Sequence, residues 1–267
     1  MKKIIPIGVV VGVVLIAGSI VFIKSRKSSP SVVSDASTQK HHISDPVNVI
    51  AVGERPYMQV LPKDIHNVAI MVNDVKKPAT SAEYEIEYQT DSSLQGAQGT
   101  FSLSPLPAST KNILLGSCSA GGACTYHKNV QGGTILTKFT GGTENYTLKT
   151  EWNYIDNTAK DSKFSSKDAK FQLTSTDLSS EKLLVIYNSP GYPAGLSGTP
   201  ESDPYTLDGI TPYKGKGTLQ MRANDLLASA SIMGWDGKAW HEFVGKVDGK
   251  SVTADVDLMQ LYIVLKK

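Results

Sequence analysis

The sequence contains little cysteine, little charge and only one long apolar run. Two of its 267 residues are cysteines, 19% are charged, and the formal net charge is +2. A chain so close to neutrality has no bulk electrostatic attraction for nucleic acid or for acidic substrates. We therefore predict no nucleic-acid partner and expect binding through shape.

Catalytic and metal-binding motifs are also missing. No G-x-S-x-G, S-x-x-K or H-E-x-x-H motif stands in a suitable context, and no Asp-rich calcium loop has the required spacing. The histidines of the body, His66, His127 and His241, lie in no nucleophile motif. The sequence therefore predicts no catalytic residue, no cofactor and no metal site, and we expect a protein that is not an enzyme.

The single apolar run covers residues 4–23. At about 1.5 Å per helical residue it spans about 30 Å, the thickness of the hydrocarbon core of a bilayer. A cleaved signal peptide is the alternative, with Ala17 to Ser19 as its cleavage site, but four apolar residues follow that site and favour a retained helix. We predict a transmembrane signal anchor over residues 1–27, with the lipid bilayer as its partner.

The orientation of this anchor is less evident, because basic residues flank the apolar run on both sides: Lys2, Lys3, Lys24, Arg26 and Lys27. The positive-inside rule is therefore nearly balanced. Two lysines that lead directly into an apolar run are typical of an export signal. We predict a single-pass cell-membrane protein with a cytoplasmic N-terminus and an extracytoplasmic C-terminal body.

The two cysteines, Cys118 and Cys124, are separated by the flexible sequence SAGGA. Such a pair can close as a disulfide, which would suit an oxidising external compartment. A reduced structural pair and a metal site are the alternatives, although only His127 lies near enough to add a ligand. A loop this short would stabilise the fold by about 2 kcal/mol in the chain-entropy model.

Four regions follow the anchor. Residues 28–53 are rich in serine and show no sustained period, which predicts a flexible stalk. Short apolar-alternating runs bounded by turns fill residues 54–157 and 168–267, with a polar linker over 158–167. This texture predicts an all-β fold of two tandem antiparallel β-sandwich domains behind a single N-terminal transmembrane helix.

A long loop rich in proline and glycine interrupts the second predicted domain at residues 189–204. Loops of this length on β scaffolds frequently carry binding sites, although an inert connection is the alternative. Aromatic residues in or near this loop are candidates for a ligand-binding platform: Tyr192, Tyr205, Tyr213 and Trp235. The competing interpretation is that these aromatic residues belong to the core.

The sequence from Trp235 to Trp240, WDGKAW, places an Asp-Gly turn between two tryptophans and predicts a hairpin. Together with Val247, Val252 and Val256 in the next strand, this pattern resembles the end of the ZU5-like and GAIN-like β-sandwich modules of surface proteins. The resemblance implies a β-sandwich, but residues 257–261 lack the hydroxyl and the histidine of the GAIN autoproteolysis site. The first predicted domain resembles immunoglobulin-like sandwiches in texture alone.

These features favour a membrane-anchored surface protein with a structural or adhesive role, whose partner is a cell-surface protein or a glycan. A carbohydrate-binding module is the second hypothesis, and an envelope enzyme is the third.

Overall fold

The computed structural model describes residues 43–267, which form an all-β body. After a short 3-10 turn at Val52–Glu54, the chain runs through nineteen strands. The strands are β1 (Tyr57–Asp64), β2 (Asn67–Asp74), β3 (Ser81–Gln89), β4 (Leu94–Ser102), β5 (Ala108–Ser109), β6 (Ile113–Leu114), β7 (Gly116–Cys118), β8 (Cys124–Tyr126), β9 (Gly133–Thr140), β10 (Tyr146–Asp156), β11 (Lys163–Ser165), β12 (Phe171–Thr174), β13 (Leu183–Asn188), β14 (Tyr205–Gly209), β15 (Lys216–Arg222), β16 (Ala230–Trp235), β17 (Trp240–Asp248), β18 (Ser251–Asp257) and β19 (Leu261–Lys266).

Thirteen strands form one antiparallel sheet. Their order across the sheet is β11-β12-β15-β18-β17-β16-β19-β14-β13-β10-β9-β3-β4. Five of the twelve neighbouring pairs are consecutive strands joined by short connections, namely β3–β4, β9–β10, β11–β12, β16–β17 and β17–β18. Buried and partly exposed residues alternate along strands such as β9, so one face of the sheet packs on the core. The alternating sequence pattern predicts such half-buried strands.

A smaller sheet covers part of this large one. Its strands are β1, β2 and β5, and β6 also pairs with β2. Strand β1 packs against β13 and β14 of the large sheet, and the backbone N–H of Met58 donates to the Ser189 hydroxyl at 3.2 Å. The side chain of Gln59 on β1 reaches β14, where it donates to Asp208.

The third sheet is the hairpin β7–β8, in which Cys118 is paired with Cys124. The two sulfur atoms lie 2.03 Å apart, which is a disulfide distance. This geometry supports the predicted disulfide over the reduced pair and the metal site.

Strand β13 lies between two hydrophobic cores. Its sequence LLVIYN is apolar almost throughout, which is typical of a strand covered on both faces. Leu183, Val185 and Tyr187 belong to the core that contains Trp152, whereas the alternate residues of the strand belong to the core that contains Phe171. One strand therefore stabilises both halves of the body.

The division into domains at 54–157 and 168–267 stays a prediction, and the structure adds a fact about its boundary. Strand β10 precedes the predicted linker and β13 follows it, yet the two are paired over five residues, from Trp152 opposite Tyr187 to Asp156 opposite Leu183. The strands on either side of residues 158–167 therefore share one sheet.

The last part of the predicted stalk, residues 43–53, lies against the body. The N–H of Asn48 donates to the Thr147 carbonyl at 2.9 Å, and Lys138 forms an ion pair with Asp45 at 2.7 Å. The predicted anchor at 4–23 and the rest of the stalk lie outside the described residues. Within residues 43–267, no helix is long and apolar enough to cross a membrane.

Candidate functional site

A tryptophan hairpin forms the centre of the candidate site. Strands β16 and β17 bring Trp235 opposite Trp240, with the two ring centroids 5.4 Å apart. One carboxylate oxygen of Asp236 accepts the N–H groups of Lys238 and Ala239, each at 2.7 Å, and Gly237 adopts a φ of +97°. Aspartate followed by glycine is suited to this geometry, because aspartate bonds to the backbone just after it and glycine tolerates positive φ.

The long loop after β13 brings a third ring to this hairpin. The indole N–H of Trp240 donates to the Ala194 carbonyl at 3.1 Å, and the Tyr192 ring stands edge-on to Trp240 at 6.5 Å. The Lys76 ammonium lies 4.0 Å from the centroid of the Tyr192 ring, a cation–π distance. A Cβ on Gly191 would lie 2.3 Å from the Arg55 carbonyl oxygen, so the loop can approach this closely only with glycine.

We call Tyr192, Trp235 and Trp240 the aromatic surface. All three side chains are partly exposed. Sequence reasoning selected Tyr192 and Trp235 as ligand-binding candidates, and the structure brings them together through Trp240. It missed Trp240 as a site residue, although the pairing of the two tryptophans across the Asp-Gly turn was the available signal.

Tyr205 does not belong to this surface: the expectation that it lines an exposed platform is wrong, and the competing interpretation, a core residue, holds for it. Only 1% of the residue is exposed, and its ring packs against Phe171 with centroids 5.7 Å apart. Its hydroxyl donates to Asp168 at 2.7 Å. Because β14 is covered by packed layers on both faces, its tyrosine is part of the core.

A polar cleft of about 540 Å³ adjoins the hairpin. Its polar lining consists of Gln59, Asn73, Asp208, Thr211, Tyr213, Asp236 and Gln260. Asp236 therefore belongs to both the cleft and the tryptophan hairpin. Tyr213, the fourth predicted ligand-binding residue, lies in this cleft rather than on the aromatic surface, and its hydroxyl donates to the Leu207 carbonyl.

Side-chain amides run from the cleft to a buried carboxyl group. The Asn73 amide N–H donates to the Gln59 side-chain carbonyl at 2.8 Å, and the Gln59 N–H donates to one oxygen of Asp208 at 2.7 Å. The other Asp208 oxygen is buried and has no hydrogen-bond partner within residues 43–267. The same holds for the Tyr57 hydroxyl and the Thr206 hydroxyl.

The two carboxyl groups of the cleft have opposite electrostatic environments. Burial raises the pKa of Asp208 to about 7, although the nearby polar groups of Thr206 and Gln59 offset part of this effect. The pKa of Asp236 is lowered to about 2, because the Ala239 N–H, His241 and the Lys238 N–H all stabilise its charged form. The His241 ring nitrogen lies 2.9 Å from Asp236.

No protein-family model matches the chain, and no curated protein matches its sequence. The resemblance of the hairpin to ZU5-like and GAIN-like modules therefore stays a prediction. Within residues 43–267, no three or more His, Cys, Asp or Glu side chains are grouped so that they could hold a metal ion.

Proposed function

We propose that this protein is a non-catalytic binding protein of the cell surface and that its aromatic surface recognises a glycan. The grouping of three aromatic rings beside a polar cleft carries this proposal. The apolar face of a sugar ring loses contact with water when it packs on an aromatic ring, and sugar hydroxyls bond to amides and carboxylates. Asp236 and Gln260 offer such groups next to Trp235, and Asn73 offers an amide in the same cleft.

Binding suits the cleft better than catalysis does. Acid–base chemistry on a sugar requires two carboxyl groups that both reach the substrate. Only 6% of Asp208 is exposed, and one of its oxygens is engaged by Gln59. The cleft therefore presents Asp236 and side-chain amides to a ligand, rather than two accessible carboxyl groups.

The proposal places the β-sandwich body outside the cell, carried by the transmembrane anchor at residues 4–23. The apolar run and its leading lysines support this topology, and a disulfide at Cys118 and Cys124 suits an oxidising compartment. Protease treatment of intact cells should digest the body. A body that resists digestion until the cells are lysed would contradict the topology.

The glycan proposal is tested by screening the full-length chain on a glycan array and measuring the affinity of the best ligand. Trp240→Ala should weaken binding about five- to tenfold, because one stacking ring and its contact with Tyr192 are lost. Tyr126→Ala is the matched control, since this tyrosine is exposed but lies on the β7–β8 hairpin. The absence of any glycan ligand, or equal losses in the two variants, would contradict the proposal.

A further inference from the structure

A second cleft, of about 620 Å³, shares no residue with the aromatic surface or the polar cleft. It is bounded by the β1–β2 turn at residues 65–66, by residues 127–130 before β9, by the end of β10, and by two loops at 157–160 and 180–182. Its volume lies within the range that holds small-molecule ligands. We call it the lysine cleft.

The lining of the lysine cleft is largely apolar. Its buried apolar residues are Val130, Tyr154 and Leu183. Ile65 also lines the cleft, and 61% of this residue is exposed. The Tyr154 hydroxyl donates to the Ile65 carbonyl at 2.9 Å, which fixes the β1–β2 turn against β10. A ligand with an apolar body would remove this surface from water.

The charged groups of the lysine cleft are mostly positive. Lys128, Lys160 and Lys182 line it and are exposed, and none of them forms an ion pair within residues 43–267. Asp156 is the one carboxylate in the described lining, and it accepts the Thr158 N–H at 3.1 Å. Three cations against one anion give the cleft a net attraction for negative charge.

Ring contacts hold the walls of the lysine cleft in place. The His66 ring stacks on Tyr126 with centroids 3.8 Å apart and an interplanar angle of 8°. The His127 ring nitrogen lies 3.0 Å from the Tyr88 hydroxyl. Lys160 adopts a φ of +57°, a conformation that is unusual for lysine and is found where surrounding structure imposes it. The cleft is therefore formed before any ligand arrives.

We propose that the lysine cleft binds a small organic anion, with a phosphate or carboxylate group facing the lysines and an apolar body packed on Ile65 and Tyr154. This combination of a mostly apolar lining with a few convergent charged groups is typical of ligand sites. The proposal does not depend on glycan binding, because the two surfaces have no residue in common.

Isothermal titration calorimetry of the full-length chain tests this proposal with four probes. Phenyl phosphate and benzoate carry both a charge and a ring, inorganic phosphate lacks the ring, and benzyl alcohol lacks the charge. Phenyl phosphate or benzoate should bind at least about fivefold more tightly than the two incomplete probes, because each of those gives up one class of contact. Whichever of phenyl phosphate and benzoate binds more tightly shows whether the cleft prefers a phosphate or a carboxylate group.

Site-directed variants then locate the binding. Lys160→Gln and Lys182→Gln should each weaken the preferred anion about two- to fivefold, the range expected for one partly exposed charge pair. Lys246→Gln is the matched control, because Lys246 is exposed on β17 outside the cleft and should leave affinity unchanged. No binding of either anion, equal binding of all four probes, or equal effects of the three substitutions would overturn the proposal.

Discussion

The polar cleft and the lysine cleft are similar in volume, about 540 and 620 Å³, but they differ in charge and lining. The polar cleft adjoins aromatic rings and carries side-chain amides with the carboxyl groups of Asp208 and Asp236. The lysine cleft carries three lysines over an apolar floor. A chain whose formal net charge is +2 thus holds two clefts of opposite local character. Local arrangement, and not net charge, decides which ligands each cleft attracts.

Among the changes that distinguish the two clefts, Asp208→Asn in the polar cleft should have the largest effect, which is on the pH dependence of the free energy of unfolding. Between about pH 4 and pH 7, Asp208 keeps its proton in the folded protein but has lost it in the unfolded chain, because its pKa is raised on folding. The free energy of unfolding of wild type therefore falls as the pH rises through this range. Three pH units at about 1.36 kcal/mol each give an upper value of about 4 kcal/mol. Asparagine cannot ionise and keeps an acceptor for Gln59. The variant should therefore become more stable relative to wild type as the pH rises over this range.

Urea unfolding of both proteins at several pH values measures this difference. Asp225→Asn is the control, since it makes the same substitution at an aspartate that is exposed on a loop. If the stability difference between Asp208→Asn and wild type is the same at pH 4.5 and pH 8, the pKa of Asp208 is not raised in the folded protein.

The next largest effect is expected from removing the disulfide with the double variant Cys118→Ser and Cys124→Ser. Loss of the closed loop should lower the free energy of unfolding by about 2 kcal/mol. The same hairpin carries Tyr126, whose ring stacks on His66, so binding of phenyl phosphate should weaken about two- to fivefold. Glycan binding at the aromatic surface should not change. An equal loss of affinity for both ligands would show that the β7–β8 hairpin does not act on the lysine cleft specifically.

The smallest effect expected is that of salt. Raising the salt concentration from about 0.1 M to about 1 M shortens the Debye length from about 10 Å to about 3 Å. Anion binding at the lysine cleft should weaken about fivefold, whereas glycan binding should change less than about twofold, since stacking on Trp240 involves no net charge. Parallel titrations at the two salt concentrations measure both. Equal salt sensitivity would show that the two sites are not electrostatically distinct.

Local features of the fold were predictable from the sequence. The hairpin from Trp235 to Trp240 follows from its Asp-Gly turn, and β13 follows from its continuous apolar run. Apolar and charged residues alternate over residues 84–89, YEIEYQ, and this period of two predicts that Ile86 and Tyr88 face the core, where the structure has them. The short separation of Cys118 and Cys124 similarly favoured a disulfide. In each case the signal lies within a few neighbouring residues.

Features that depend on distant residues were not predictable. The pairing of β10 with β13 passes over the predicted linker, and no local pattern indicates which strands become neighbours. Asp208 lies in an ordinary strand pattern, and its raised pKa arises because β1 covers it in three dimensions. The lysine cleft gathers residues as far apart as Ile65 and Lys182, so its charge cannot be recognised along the chain.

The position of β19 has a consequence for biosynthesis. This strand pairs with β14 on one side and with β16 on the other, and its apolar residues fill the sheet between them. During synthesis from the N-terminus, β14 and β16 leave the ribosome well before residues 261–266 do. Until β19 follows, both strands present unpaired backbone edges of the kind that drives aggregation. Protecting these two edges in the nascent chain is therefore a requirement for producing the folded protein in quantity.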